Sequence, residues 1–304
     1  MKLSILGSSS ALPTSERFPT AHVLNVHERL YLIDCGEGTQ IQLRKNKLRF
    51  GKINHIFISH LHGDHVFGLY GLLSTLSLMG RKNPICLYAP RNYEGILSSH
   101  LSDFDIHLSF NVKFTGLSGN DPVKILDDKY LTVTSFPLDH RVPAFGFLFR
   151  EKPFDRSIIK EYIEKYGIPT VRIPAIKKGE DFISSDGTVI RNEEITRPGP
   201  DPLSYAYCSD TRYFSRLPSF VRGVDLLYHE ATFDKSLMEL AEITGHSTTT
   251  DAARTASEAE AKALIIGHFS ARYKEVNLLV EEARTVFPNT FPAIDGKTYE
   301  IGKT

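Results

Sequence analysis

Apolar residues fall in short runs along the chain rather than in long blocks. "LSIL" (3–6), "RLYLIDCG" (29–36), "INHIFISH" (53–60), "PICLYAP" (84–90), "YLTVTSFPLDH" (130–140), "GFLF" (146–149), "SYAYCSD" (204–210), "VDLLYHEA" (224–231) and "AKALIIGH" (261–268) read as strands. Several are continuously apolar, the pattern of strands covered on both faces. Helical periodicity predicts helices in "EGTQIQLRKNK" around Gln40, in "FGLYGLLSTLSLM" (67–79) and in "STTTDAARTASEAEAK" (247–262). The last opens with Ser/Thr capping residues and an acidic first turn. In each half of the chain the strands end on His or Asp, which predicts an α/β protein with two sheets face to face and helices outside. Residues 151–200 break the rhythm: they are charged, interrupted by proline, and end in the turn signal "RPGPDP". They are expected to form an arm inserted into a single domain spanning 1–304.

Composition narrows the function. The chain has 304 residues, and Lys+Arg and Asp+Glu both total 36, so no overall field attracts a polyanion and any nucleic-acid surface must be local. Cys35, Cys86 and Cys208 are widely spaced with no CxxC, which excludes a disulfide framework and a cysteine zinc cluster and fits a reducing compartment. The start of the chain reads as a first strand rather than a leader, and "VFGLYGLLSTLSLMG" is too short and too interrupted to span a bilayer. A cytoplasmic protein is expected.

The chemistry concentrates in "SHLHGDH", where His60, His62, Asp64 and His65 fall within six positions just past an apolar strand. Imidazoles with a carboxylate suit zinc, and Gly63 is expected to let the chain turn between the two pairs. Further ligands must come from other strand ends. His140, Asp210 and His268 each follow one. His60, His62 and His140 are assigned to one metal, Asp64, His65 and His268 to a second, with Asp210 bridging. Two ions about 3.5–4 Å apart share a hydroxide and stabilise both oxygens of a phosphoryl displacement. Zinc also lowers the pKa of its water toward ~7. His229 and Glu230 in "YHEATF" and His246 in "TGHSTTT" are candidates for delivering a proton to the leaving group. For His229 and Glu230, a strand-end salt bridge or helix cap is an equal alternative. Asp34 and Thr39 are expected to support the metal loop rather than bind metal. Cys208 is expected to be a small core residue.

These residues resemble the metallo-β-lactamase superfamily. The stretches "LGSSSALPTSER", "LIDCGEGTQIQL", "SHLHGDHVFGLYGLL", "LDHRVPAFGF", "AYCSDTR", "YHEATF", "GHSTTTDAA" and "GHFSARY" are, within it, similar to the ribonuclease Z family over nearly the whole chain. The resemblance implies a four-layer αββα sandwich and two zinc ions per subunit, with manganese or iron as alternatives. It also implies an endonuclease that cuts precursor tRNA after the discriminator nucleotide, with a metal-bound hydroxide as nucleophile and a 3′-hydroxyl left on the tRNA. Carried onto this sequence, Asp64 is ligand and general base, and Glu230 with His246 forms a proton relay. A homodimer is implied in which one subunit holds substrate for the other. Arg17, Lys177, Lys178, Ser270 and Arg272 are the candidate substrate contacts. In the early loop Arg17 runs into Phe18-Pro19 where the family usually has Asn. The arm carries "YGIPTVRIPAIKKG" in place of a glycine- and proline-rich stretch, although Lys160, Lys165, Arg172, Lys177 and Lys178 offer cations for phosphates among interspersed acids. A hydrolase of the same fold acting on a small phosphodiester is the alternative.

Overall fold

A computed structural model describes residues 1–303. Two seven-stranded sheets carry the architecture. In spatial order the first runs Thr298–Glu300, Lys2–Gly7, Ala21–Val26, Arg29–Ile33, Ile53–Phe57, Ile85–Pro90, Val112–Leu117. The second runs Thr290–Pro292, Leu264–Gly267, Leu226–Glu230, Ser204–Cys208, Ala144–Glu151, Leu131–Leu138, Val123–Asp127. Each sheet has a parallel stretch, Arg29–Ile33 through Val112–Leu117 in the first and Ser204–Cys208 through Thr290–Pro292 in the second, flanked by antiparallel pairs.

Strand alternation sorts the side chains into three apolar layers. Tyr31, Ile33 and Phe57 from the first sheet meet Phe147, Phe149, Tyr205 and Tyr207 from the second, which makes the inter-sheet core. Leu30, Leu32 and Ile58 point the other way, onto Leu69, Leu72, Leu73 and Leu76 of the helix Gly68–Leu78. On the far side Ala206, Cys208 and Leu227 pack on Ala252, Ala253 and Ala256 of the helix Thr249–Glu258 and on Leu279 and Val280 of the helix Asn277–Arg284. Helix, sheet, sheet, helix is the four-layer sandwich predicted from the strand pattern. Thr248 and Asp251 close a capping box at the start of Thr249–Glu258, as its Ser/Thr-rich opening predicts.

The chain divides into two compact units, residues 1–150 with 203–304, and Glu151–Pro202. The second unit has its own small core of Ile168, Ile176, Phe182, Ile190 and Ile195, with two two-stranded ladders. Asn192 ties it internally by donating from its amide to the carbonyls of Ile176 and Glu180 at 2.6 and 2.8 Å.

Candidate metal centre

Strand ends position the cluster. His60 follows Ile53–Phe57, His140 follows Leu131–Leu138, Asp210 follows Ser204–Cys208, and His268 follows Leu264–Gly267. Asp64 and His65 sit in the one-turn helix Gly63–Val66 that His62 precedes. His60, His65 and His268 are buried, as is Asp210.

Two nests of ligand atoms result. In the first, His62 Nδ1 lies 3.0 Å from His60 Nε2 and 3.3 Å from His140 Nε2. Asp210 Oδ2 is 3.5 and 3.9 Å from the same two Nε2 atoms. In the second, Asp64 Oδ2, His65 Nε2 and His268 Nε2 stand 3.3–3.4 Å apart, and Asp210 Oδ1 is 3.4 Å from His65 and 3.2 Å from His268. Four donors about 2.05 Å from a tetrahedral zinc are separated from each other by about 3.3 Å. Asp210 thus gives one oxygen to each nest. Its buried Oδ1 has no hydrogen-bond donor among the described residues, an orphan that a cation would satisfy. The donor set and its spacing fit a pair of zinc-like ions.

The outer nitrogen of most of these imidazoles is held. His65 Nδ1 meets Asp34 Oδ2 at 2.8 Å, His140 Nδ1 meets the Gly245 carbonyl at 2.6 Å, and His268 Nδ1 meets Thr232 Oγ1 at 2.8 Å. His60 Nδ1 meets Ser59 Oγ at 3.1 Å. Such contacts fix ring orientation and tautomer. Asp34 is the hub: it also accepts from the Ser59 amide at 2.7 Å, the Ser59 hydroxyl at 2.8 Å and the Tyr207 hydroxyl at 2.6 Å. Asp34 and His268 both have left-handed backbones, φ 54° and 60°, the sort of strain that collects where side chains must be aimed. Thr39 bonds the Gly36 carbonyl at 2.6 Å, within the loop that runs from Asp34.

Electrostatics follow from burial and facing charges. Burial pushes the His60 and His140 imidazoles below their ordinary pKa, which favours the neutral, ligating form. Burial opposes charge on Asp64 and Asp210, but the imidazoles facing them outweigh it and hold both carboxyls below the usual range.

Glu230 and His246 stand beside the nests. Glu230 is fully buried and saturated: Oε1 accepts from the amides of Ser247 and Thr211 at 2.9 and 3.2 Å, and Oε2 from Thr232 N and Oγ1 at 2.9 and 2.8 Å. Its Oε1 also lies 3.0 Å from His246 Nδ1. Burial lowers the His246 pKa, but Glu230 and Asp210 outweigh it and raise it to about 9. A further triad of Asp210, His246 and His268 is geometrically able to ligate, yet His246 Nδ1 is 3.8 Å from Asp210 and is directed at Glu230. His229 turns away, its Nδ1 on the Glu230 carbonyl at 2.7 Å, and contributes no atom to the cleft.

A cleft of about 710 Å³ opens over the cluster, lined by His62, Asp64, Asp210, His246 and His268 together with Phe67, Arg141, Ser270 and Arg272. Arg141 escaped the sequence reading; its signal is adjacency to His140, and nothing in its own spacing distinguishes it. Arg17 is not at the cleft wall. Its Nη2 donates to the carbonyls of Tyr273 and Ser270 at 2.8 and 3.3 Å, so it props the loop that carries Ser270 and Arg272. Lys177 ends the helix Ile173–Lys177 in the Glu151–Pro202 unit and Lys178 is its cap; Arg172 there is 3.6 Å from Glu180. Gly63 also differs from expectation. It lies within a helical turn, and its missing Cβ makes room for the Phe67 ring, whose carbons would stand 2.4–2.9 Å from such an atom.

Known proteins resemble this chain in sequence and fold. Ribonuclease Z of Bacteroides fragilis is 46% identical over 292 residues, 96% of each chain. The chain belongs to the ribonuclease Z family. Human tRNase Z, short form (ELAC1), is 28% identical, with 99% of both chains covered and a TM-score of 0.73. YhfI from Bacillus subtilis, a metallo-β-lactamase fold protein, is 18% identical with a TM-score of 0.68 over 98% of this chain and shares the fold. The family model described as anti-Pycsar protein Apyc1 matches residues 1–105, a span that includes His60, His62, Asp64 and His65.

Proposed function

We propose that this chain is a cytoplasmic endoribonuclease that removes the 3′ trailer from precursor tRNA by hydrolysis after the discriminator nucleotide. Membership of the ribonuclease Z family supports the reading, and among the described residues no helix is long and apolar enough to cross a membrane. The observation that carries it is a pair of ligand nests, His60, His62, His140 and Asp210 in one and Asp64, His65 and His268 in the other, with Asp210 Oδ1 3.4 and 3.2 Å from His65 and His268, in an open cleft that His246 also lines.

His60, His62 and His140 would hold one zinc and Asp64, His65 and His268 the other, with Asp210 placed to offer an oxygen to each. When bound, the pair supplies an acidified water and Lewis-acid neutralisation of phosphoryl oxygens. The chain's own residues do the rest. Asp64 accepts the proton of the attacking water. As the new P–O bond forms and the bond to the 3′ oxygen of the discriminator breaks, His246 delivers a proton to that oxygen, and Glu230 holds the ring and stabilises its charged form. Arg141 and Arg272, exposed along the cleft, balance phosphate charge. Ser270 accepts from Arg272 Nε at 3.1 Å and sets its direction. The Glu151–Pro202 unit grips the tRNA body through Lys160, Lys165, Lys177 and Lys178, and the working assembly is a homodimer.

End-mapped cleavage of a trailer-bearing precursor tRNA tests the reading, with wild type, wild type plus chelator, and Asp64→Ala compared. A single chelator-sensitive cut that leaves a 3′-hydroxyl beside the discriminator and is lost in the variant is expected. A preparation that hydrolyses a simple phosphodiester but never cuts the tRNA moves the substrate to a small molecule.

A further inference from the structure

We propose that Phe67 is a stacking platform for the nucleobase next to the scissile phosphate. The inference rests on the reading of the cleft as an RNA-cleaving site. Phe67 is 63% exposed although the flanking Val66 is buried and Leu69 opens the apolar face of the next helix. A lone exposed aromatic is ordinary on a protein surface, so exposure alone decides nothing. Position decides it.

The ring stands on the wall of the metal cleft and is seated against Gly63, the residue between His62 of one nest and Asp64 of the other. An added Cβ at Gly63 would overlap three ring carbons, so the ring occupies the space that this glycine leaves free. The other aromatic in the wall, Phe233, is 5% exposed and lies under the Arg272 guanidinium, whose carbon is 5.0 Å from its ring centre. Phe67 is therefore the aromatic that presents ring area to the cleft. The cations Arg141 and Arg272 line the same cleft.

A phosphodiester bound over the metal nests carries a base on either side, and every base has a π-face, so an aromatic platform beside the nests binds RNA without reading its sequence. This predicts a contribution that every base supplies and that is greatest for a purine. Phe67 would bind substrate and touch no reacting atom.

The test is steady-state cleavage by the metal-loaded, full-length protein of three precursor tRNAs: one intact, one abasic at the discriminator, and one abasic at the first trailer nucleotide. On the intact substrate, Phe67→Ala is expected to lower kcat/KM by about 5- to 100-fold, the range of one base stacked on an aromatic, mainly through KM. Phe67→Leu, which keeps apolar bulk without a π-face, should behave like alanine, and Phe67→Trp like wild type. With one of the two abasic substrates the gap between wild type and Phe67→Ala should close. An equal penalty on all three substrates, or full rescue by leucine, overturns the platform and leaves a packing role. Metal content measured on each variant shows that the nests survive. If wild type cuts none of the precursors, the reading of the site as a tRNA-processing centre fails first, and the platform falls with it. If wild type cuts and the penalty ignores the abasic position, the platform alone is wrong.

Discussion

Asp34→Asn separates ligand positioning from ligation. Asparagine tolerates the left-handed backbone at φ 54°, so the substitution perturbs hydrogen bonding rather than the chain path. In the wild type, Oδ1 accepts from the Ser59 amide, while Oδ2 takes the Ser59 hydroxyl, the Tyr207 hydroxyl and His65 Nδ1. An amide has one acceptor for these four contacts. If its NH2 takes the place of Oδ1, it opposes the Ser59 N–H. If it takes the place of Oδ2, the Ser59 and Tyr207 hydroxyls can accept from it only by turning their own hydrogens elsewhere, and it faces His65 favourably only when Nδ1 is unprotonated, which puts the imidazole proton on Nε2, the atom aimed into the second nest. Either way at least one buried, charge-assisted contact is lost, a cost of about 3 kcal/mol, which in a chain of this size lowers Tm by roughly 5–10 °C. Disturbing such an orienting partner weakens metal binding about 10- to 100-fold. The larger loss should fall on the nest holding His65, which Asp34 touches directly, because the other nest is reached only through Ser59 Oγ on His60 Nδ1. Competition of reconstituted protein against a chromophoric chelator should show one zinc weakened more than the other. Two zincs bound as tightly as in wild type would refute the hub role.

Other outcomes follow from neighbouring features. His246→Asn and Glu230→Gln should each lower kcat by about 100-fold or more with both metals retained, since a positioned proton donor contributes about 10²–10⁴-fold; metal analysis beside single-turnover cleavage checks this. Asp225 accepts from the Ser204 amide and hydroxyl and from Lys262 Nζ, all at 2.7 Å. Burial opposes its charge, but those donors hold its pKa below the ordinary value. Its stabilisation is therefore complete above the unfolded pKa of ~4 and fades as pH falls through the lower folded value. Urea melts of wild type and Asp225→Asn should differ most at neutral pH and converge in acid. Replacing Glu151–Pro202 by a short linker should weaken precursor tRNA binding, with a shallower salt dependence, while hydrolysis of bis(p-nitrophenyl) phosphate persists. Unchanged tRNA affinity would remove the gripping role.

Much of the sandwich was legible because the central strands are apolar on both faces and are followed by His or Asp. His60, His140, Asp210 and His268 stood out as polar punctuation after runs such as "ALIIG". Elements at the margins were not legible. Val112–Leu117 and Val123–Asp127 are edge strands, and lysines in "VKFTGL" and "VKILD" hid them, as charged edges generally do. Ala21–Val26 escaped because His22 looks polar, whereas its ring is buried between the sheets against Tyr207 and Tyr228 at 5.1 and 4.3 Å. At the site, residue type pointed to supporting roles for Asp34 and Thr39 but could not reveal which atoms Asp34 serves. Arg17 reads as a substrate cation until the fold brings two carbonyls to its guanidinium from more than 250 positions away. Phe67 reads as one more apolar residue of a core helix, since only packing shows that its turn faces outward.

Each nest draws its atoms from both sheets: His60 and His62 against His140 and Asp210, and Asp64 and His65 against His268 and Asp210. A bound ion is therefore a clasp across the sandwich as well as a reagent. During synthesis the first sheet offers only half of either clasp, and neither can close until the chain has been made past Asp210 for one and past His268 for the other. Metal loading then becomes a late checkpoint of assembly. Since an ion that binds only the closed form stabilises it by mass action, the loaded protein should resist opening between its sheets, and proteases should find that seam first in protein stripped of metal.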